Sequence, residues 1–128
     1  IEMGGKIKKP PKIFHVNWFR KDEDGHFIWP GFGENLRVLD WIIQRCRGEI
    51  GAAETPVGYM PAPGDLNLEG LHLEQAQCKP LFEINRDQWL EETEENRSFF
   101  KQFGLRFPAE LQEQAVALEK RLKSTLYR

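Results

Sequence analysis

Aromatic residues are concentrated in one short stretch of this sequence, where they surround a charged turn and two glycines. The six residues are Phe14, Trp18, Phe19, Phe27, Trp29 and Phe32. Aromatic rings beside a tight backbone turn can stack on a flat heterocycle, and each stacked ring contributes about 1–3 kcal/mol to the binding of a base. The same rings can instead fill the core of a small domain. Composition alone leaves both uses open.

Polar and glycine residues in the same stretch favour a base-binding pocket. Glycines on both sides of Phe32 let the backbone approach a ligand closely, and Phe32 would project from the sharp turn between them. Phe19 and Phe27, on the two arms of a hairpin, would supply a facing ring and an edge. Asn35 offers a carbonyl acceptor and an amide donor. Guanine presents the matching N1–H, exocyclic amine and O6, so we predict a guanine pocket.

Other catalytic and metal-binding patterns are missing from the 128 residues. No G-x-x-x-x-G-K-[ST] phosphate loop occurs, and no serine or cysteine stands in a recognisable nucleophile context. The three histidines lack the spaced partners of a metal site: His15, His26 and His72. The G-x-G at Gly31 starts like a dinucleotide fingerprint, but Leu36 stands where that motif needs glycine or alanine. We therefore expect neither catalytic nor metal-ligating residues in this chain.

Charge and hydropathy restrict the classes of partner. The chain has 20 acidic and 18 basic residues, a net charge of −2 and a pI near 6.0, which argues against a nucleic-acid-binding protein. No apolar run approaches the ~18 residues that a membrane helix needs. Cys46 and Cys78 lie outside any C-x-x-C motif, which favours a reducing, cytoplasmic compartment, although the sequence leaves a disulfide between them open.

The length suits one domain or one subdomain of a larger protein. The first five residues, Ile1-Glu2-Met3-Gly4-Gly5, lack an initiator methionine and resemble the frayed end of a helix. We therefore expect the chain to be a fragment of a longer polypeptide.

Strand-like and helical patterns flank the aromatic stretch. Ile13–Phe19 alternates as a strand, with Phe14, Val16 and Trp18 on one face. Arg20–Gly25 is a turn with the hairpin signal Asp-Gly, and His26–Trp29 returns as a short strand. Glu34–Arg47 is predicted to be a helix that Gly48 ends. Its apolar stripe is formed by Leu36, Leu39, Ile43 and Cys46, widened by Val38 and Ile42.

The second half of the chain predicts an irregular segment followed by two helices. From Gly51 to Pro80, glycine and proline are frequent and periodicity is poor, with leucines that anchor the segment. A capping box at Asn85 begins a helix that runs to about Phe103, and Gly104 stops it. Pro108 suits the first position of the last helix. The two helices should form an antiparallel hairpin, so the predicted class of this chain is α+β.

The aromatic stretch resembles a known family. PKIFHVNWFRKDEDGHFIWPGFGEN is similar to the nucleotide-binding part of GTP-dependent phosphoenolpyruvate carboxykinase, and the string WPGFGEN is uncommon and specific. TPVGYMP, GDLNLEGL and the closing FP-x-x-L helix also resemble that family. The resemblance implies that residues 1–128 are the C-terminal portion of the enzyme's nucleotide-binding domain, and so an α+β fragment of a larger α/β enzyme.

This resemblance implies an activity and a site. The family decarboxylates oxaloacetate and phosphorylates the enolate with GTP, giving phosphoenolpyruvate, CO2 and GDP, with Mn2+ at the active site and Mg2+ on the nucleotide. Guanine would lie between Phe19 and Phe32, and Phe27 would close the pocket. The stretch Phe32-Gly33-Glu34-Asn35 would hydrogen-bond the base, chiefly through Asn35. A mitochondrial matrix location becomes an alternative to the cytoplasm for a eukaryotic source.

The resemblance also implies that the chain is inactive by itself. The phosphate loop, metal ligands and substrate-binding residues of the family lie upstream of these residues, so the partners are a guanine nucleotide and the missing part of the same enzyme. Apolar surface left uncovered would cause self-association. The alternative is a non-enzymatic aromatic module that binds a protein or, with less support from the charge balance, single-stranded RNA.

Overall fold

Helices make up most of the regular structure that the computed structural model describes, which covers residues 2–71 and 75–124. Five α-helices and a two-stranded antiparallel sheet occur in this range. Their bounds are α1 Glu2–Lys6, α2 Asn35–Arg47, α3 Gln75–Phe82, α4 Arg86–Phe100, α5 Ala109–Lys123, β1 Ala53–Thr55 and β2 Gly58–Met60. The α+β class predicted from the sequence is confirmed. Among these helices, none has the length and apolar composition that crossing a bilayer would take.

The chain divides into two compact units. The first contains Ile7–Ala53 and Tyr59–Glu83, and the second contains Ile1–Lys6, Glu54–Gly58 and Ile84–Arg128. All of the predicted site residues belong to the first unit. Its most buried apolar side chains are Trp29, Trp41 and Leu66.

The predicted strands at Ile13–Phe19 and His26–Trp29 are wrong as strands, although the side-chain alternation is right. Phe14, Val16 and Trp18 are half-buried while the residues between them are exposed. Among the described residues, the bridge that involves these segments is a single antiparallel one, which joins Phe27 to Lys21 in the intervening turn. A ladder needs a hydrogen-bonded neighbour, and alternation of side chains does not supply one.

Helix α2 confirms the predicted helix but not its predicted buried face. It begins one residue later than expected, and Gly48 ends it in the left-handed region at φ 78°. Leu36, Leu39 and Ile43 are exposed, and so is Cys46, a free thiol like Cys78. Trp41 is buried instead, 4% exposed, with its ring 6.1 Å from that of Phe14. Periodicity identifies an apolar stripe but not whether another element covers it.

The segment from Gly51 to Pro80 is more regular than predicted. Strands β1 and β2 flank the Pro56-Val57 turn, and the Thr55 hydroxyl donates to the Gly58 carbonyl at 2.5 Å. Helix α3 was not predicted, because Pro80 lies within its last turn and normally disfavours a helix interior. Leu66 is buried, as expected of an anchoring leucine. His72 and Leu73 lie outside the described residues.

The predicted C-terminal helices are confirmed, with small shifts at their ends. The Asn85 side-chain oxygen accepts hydrogen bonds from the backbone N–H groups of Asp87 and Gln88, both at 3.1 Å. Helix α4 ends at Phe100, three residues earlier than predicted, and a 3₁₀ segment continues to Arg106. Within that segment Gly104 has a positive φ of 51°, which glycine adopts without strain.

Helices α4 and α5 pack as an antiparallel hairpin. Arg86, at the start of α4, donates to the Ser124 carbonyl just past the end of α5 at 2.9 Å. Leu122 is the most enclosed side chain among the described residues, 1% exposed, and the polar Thr93 is also buried. Arg97 joins the helices through Glu119. Hydrogen bonds from Lys123 and then Arg97 lower the pKa of Glu119, but solvent-facing ion pairs of this kind add little stability.

Candidate base-binding site

A closed turn positions the first two aromatic rings. The Ile28 N–H donates to the Arg20 carbonyl and the Asp22 N–H to the His26 carbonyl, both at 2.9 Å. Gly25 completes the turn with a φ of 84°. These bonds bring the two arms together, and the rings of Phe19 and Phe27 lie 6.2 Å apart at an interplanar angle of 66°. The structure therefore joins these two predicted site residues in an edge-to-face pair.

Both rings of this pair are open to solvent. Phe19 is 73% exposed, and its backbone N–H donates to the Asn17 side-chain oxygen at 2.9 Å. The Lys21 ammonium lies over the Phe27 ring, 5.2 Å from its centre, within the range of a cation–π contact. Because Lys21 covers a face of Phe27, the ring of Phe19 is the freer of the two for stacking.

Phe32 stands on the next turn of the chain. Gly31 has backbone angles of φ 134° and ψ −176°, which residues other than glycine rarely adopt. A single 3₁₀ turn follows at Phe32–Glu34. The Phe32 side chain is 90% exposed, and its ring contacts none of the other aromatic rings in the described residues. The first N–H groups of a helix have no partner within it, so Phe32 and Gly33 both carry backbone donors that the turn does not use.

Asn35 is held by a tryptophan. It is the first residue of α2, and its side-chain oxygen accepts a hydrogen bond from the indole N–H of Trp29 at 2.8 Å. Trp29 is 7% exposed, and its ring lies 5.8 Å from that of Trp18. Trp29 was predicted only as one of the aromatic residues, because no sequence pattern links a tryptophan to an asparagine six residues later.

The Glu34 side chain has a structural role. Its carboxylate accepts a hydrogen bond from Arg37 at 2.5 Å, and Arg37 also donates to the Asn67 carbonyl at 2.6 Å. This links the start of α2 to the irregular segment. The carboxylate is therefore already paired, and a contribution of Glu34 to base recognition would come from its backbone.

One group of acidic and histidine side chains in the described residues has the spacing of a metal site. Its members are Asp22, Asp24 and His26, all exposed. One oxygen of the Asp22 carboxylate already accepts the backbone N–H groups of Asp24 and His26, at 3.0 and 2.8 Å. The Asp22 carboxylate therefore closes the hairpin turn.

A groove of about 280 Å³ lies within the helical hairpin of the second unit, and none of the predicted site residues lines it. It is lined by Arg97, Phe100, Lys101, Gly104, Phe107 and Gln112. The Phe100 and Phe107 rings stack beside it, 4.4 Å apart. Two ring faces packed against each other are not available to a flat ligand.

Comparison with known proteins identifies close relatives. A family model described as the phosphoenolpyruvate carboxykinase C-terminal P-loop domain matches residues 1–121. The chain is 50% identical over 119 residues to phosphoenolpyruvate carboxykinase [GTP] from Neocallimastix frontalis, covering 92% of this chain and 19% of that protein. It is 49% identical over 115 residues to the cytosolic enzyme of Bos taurus, covering 89% and 18%. It is 48% identical over 120 residues to the mitochondrial enzyme of Homo sapiens, covering 93% and 18%. The chain thus spans about a fifth of the length of the curated relatives it matches.

Proposed function

Because this chain belongs to the family of the phosphoenolpyruvate carboxykinase C-terminal P-loop domain, we propose that it provides guanine recognition in a GTP-dependent phosphoenolpyruvate carboxykinase. The enzyme would convert oxaloacetate and GTP to phosphoenolpyruvate, CO2 and GDP, the lyase step of gluconeogenesis. The relatives are named as cytosolic and mitochondrial forms, and we propose a cytoplasmic location with the mitochondrial matrix as the alternative.

The observation that carries this proposal is the exposure of aromatic rings beside an immobilised amide. Phe19 and Phe32 present free ring surface, and Phe27 lies at the edge of Phe19. Rings that stack on a base must be open when no base is bound, and the exposure of these rings supports that use. Asn35, held by Trp29, supplies a fixed polar group of the kind that discriminates between bases.

We assign base recognition to this chain and the reaction itself to residues outside it. The 128 residues contain no phosphate-loop motif, and the Asp22 carboxylate is engaged in closing the hairpin turn. The phosphates of GTP, the Mn2+ and Mg2+ ions and oxaloacetate would therefore be bound by the remainder of the enzyme. On this assignment the isolated chain has no carboxykinase activity. The family match also favours this function over the alternative of an RNA- or protein-binding aromatic module.

Tryptophan fluorescence tests the proposal directly. Trp29 contacts Asn35 and Trp18 packs on Trp29, so a guanine nucleotide bound at Asn35 should change their emission. We expect GTP and GDP to quench more strongly than ATP at equal concentration. N-acetyltryptophanamide titrated with the same nucleotides corrects for their absorption. Equal corrected quenching by GTP and ATP would remove guanine specificity from the proposed function.

The uncovered stripe of α2 should bind the remainder of the enzyme. Leu39 and Ile43 lie four residues apart, on the same face of the helix, and both are exposed. An apolar stripe with this spacing normally packs against another element. We therefore expect the isolated chain to self-associate at tens of micromolar concentration. Sedimentation velocity should show the Leu39→Glu, Ile43→Glu double variant shifted toward monomer. Ile13→Glu, at a more exposed apolar position outside the stripe, is the control. A monomeric unmodified chain at high concentration would contradict this role for the stripe.

A further inference from the structure

We infer that Trp29 is a positioning residue that orients the Asn35 amide and so determines which group the site accepts at position 6 of a purine. This inference rests on the proposed function, because it concerns the same base pocket. It follows from the hydrogen bond between the Trp29 indole and Asn35.

The chemistry of the two groups decides the orientation of the amide. An indole N–H can only donate a hydrogen bond, whereas an asparagine side chain carries one acceptor oxygen and one donor nitrogen. The Asn35 atom 2.8 Å from the Trp29 nitrogen must therefore be the oxygen. The NH2 group then points away from Trp29 and presents two donors. Among the described residues, that NH2 group donates to no protein acceptor.

Burial of Trp29 makes this orientation rigid. Trp29 is 7% exposed and its ring packs against Trp18, so the indole is not free to turn aside. If the amide rotated by half a turn, its NH2 group would face the indole N–H, and a largely buried donor would lose its partner. The loss of one such hydrogen bond disfavours the rotated state by roughly tenfold.

A fixed NH2 donor separates two classes of purine. Guanine and hypoxanthine carry a carbonyl at position 6 and accept a hydrogen bond there, whereas adenine carries an amine and would set donor against donor. Trp29 thus disfavours 6-amino purines through its hydrogen bond to Asn35. The hydrogen bond from the Asn35 NH2 group to position 6 does not involve the 2-amino group that distinguishes guanine from hypoxanthine. ITP should therefore behave like GTP.

Trp29→Phe in the intact enzyme tests the inference, because it keeps a buried aromatic ring and removes only the donor. We expect the ratio of kcat/KM for GTP over ATP to fall about tenfold, with ITP following GTP. Trp41→Phe is the matched control: Trp41 is 4% exposed, and its indole N–H has no hydrogen-bond partner among the described residues. The control should retain the full GTP preference.

The outcomes separate the inference from the proposed function. An unmodified enzyme that uses ATP as well as GTP and ITP would overturn the proposed function itself. An enzyme that prefers GTP and ITP, and keeps that preference in Trp29→Phe, would overturn only the role of Trp29. Equal losses for GTP and ATP in Trp29→Phe would show a structural role and would also overturn the inference.

If Trp29→Phe does not fold, Asn35→Asp tests the same orientation, because it replaces the outward donor by an acceptor while Trp29 keeps its partner. Unchanged use of GTP by Asn35→Asp would then overturn the inference.

Discussion

Replacing Phe32 by alanine in the intact enzyme is expected to raise the KM for GTP by about 5- to 150-fold. One stacked base contributes about 1–3 kcal/mol, which converts to that range. The effect should fall on nucleotide binding alone, because the Phe32 ring is 90% exposed and removing it opens no cavity in the core. Decarboxylation of oxaloacetate without nucleotide should therefore continue at close to its original rate.

Steady-state kinetics with GTP and a nucleotide-free decarboxylation assay measure the two halves of this prediction. Ile13→Ala is the control, since Ile13 is 94% exposed in the same unit but outside the base site. It should change neither activity. Loss of both activities together in Phe32→Ala would indicate that the ring supports the fold. An unchanged KM for GTP would show that Phe32 does not stack on the base.

Two helix ends could be predicted from the sequence because the residues that determine them are local. Gly48 ends α2 by adopting a left-handed conformation, and Asn85 caps α4 with its own side chain. Each of these residues acts on backbone groups within a turn of itself. A prediction that depends on such short distances needs no knowledge of the rest of the structure.

Strands and buried faces could not be predicted in the same way, because they depend on what lies next to them. The segment at Ile13 has the alternation of a strand but no ladder among the described residues. Leu39 and Ile43 have the spacing of a core stripe and remain exposed. In both cases the pattern describes the surface that the element offers, whereas burial requires a second surface, which we assign to the remainder of the enzyme.

The candidate site likewise has features that depend on local residue types and features that depend on contacts made in the fold. The residue types at Phe19, Phe32 and Asn35 suggest stacking and polar recognition, and the structure leaves both rings exposed. The hydrogen bond from Trp29 to Asn35 has no sequence signature, since it arises where the glycine turn brings the two side chains together. The pairing of Glu34 with Arg37 likewise shows which of the predicted residues has its side chain already engaged. The sequence suggests which residue types could bind a base, whereas the hydrogen bonds that orient their side chains appear only in the structure.

The orientation of the Asn35 amide predicts how Asn35→Asp changes nucleotide specificity. Asn35→Asp is expected to lower kcat/KM for GTP by about 100-fold and to raise it for ATP. The aspartate has no donor, so a carboxylate oxygen would face the guanine O6; loss of the bond and repulsion between two acceptors together cost about 3 kcal/mol. Adenine, whose 6-amino group donates, would gain an acceptor at the same point.

The fold should tolerate this substitution, which makes its effect on specificity interpretable. The carboxylate can still accept the Trp29 indole N–H, and an acidic residue at the first position of α2 interacts favourably with the helix dipole. Kinetics with GTP, ITP and ATP, together with the Tm of each variant, measure the result. Asn67→Asp repeats the charge change at an exposed position of the same unit and should alter neither specificity nor Tm.

Asn35→Ala should lower kcat/KM for GTP without raising it for ATP, because it removes the donor and adds no acceptor. Equal losses for all three nucleotides with a lowered Tm would mean that Asn35 stabilises the turn and does not read the base.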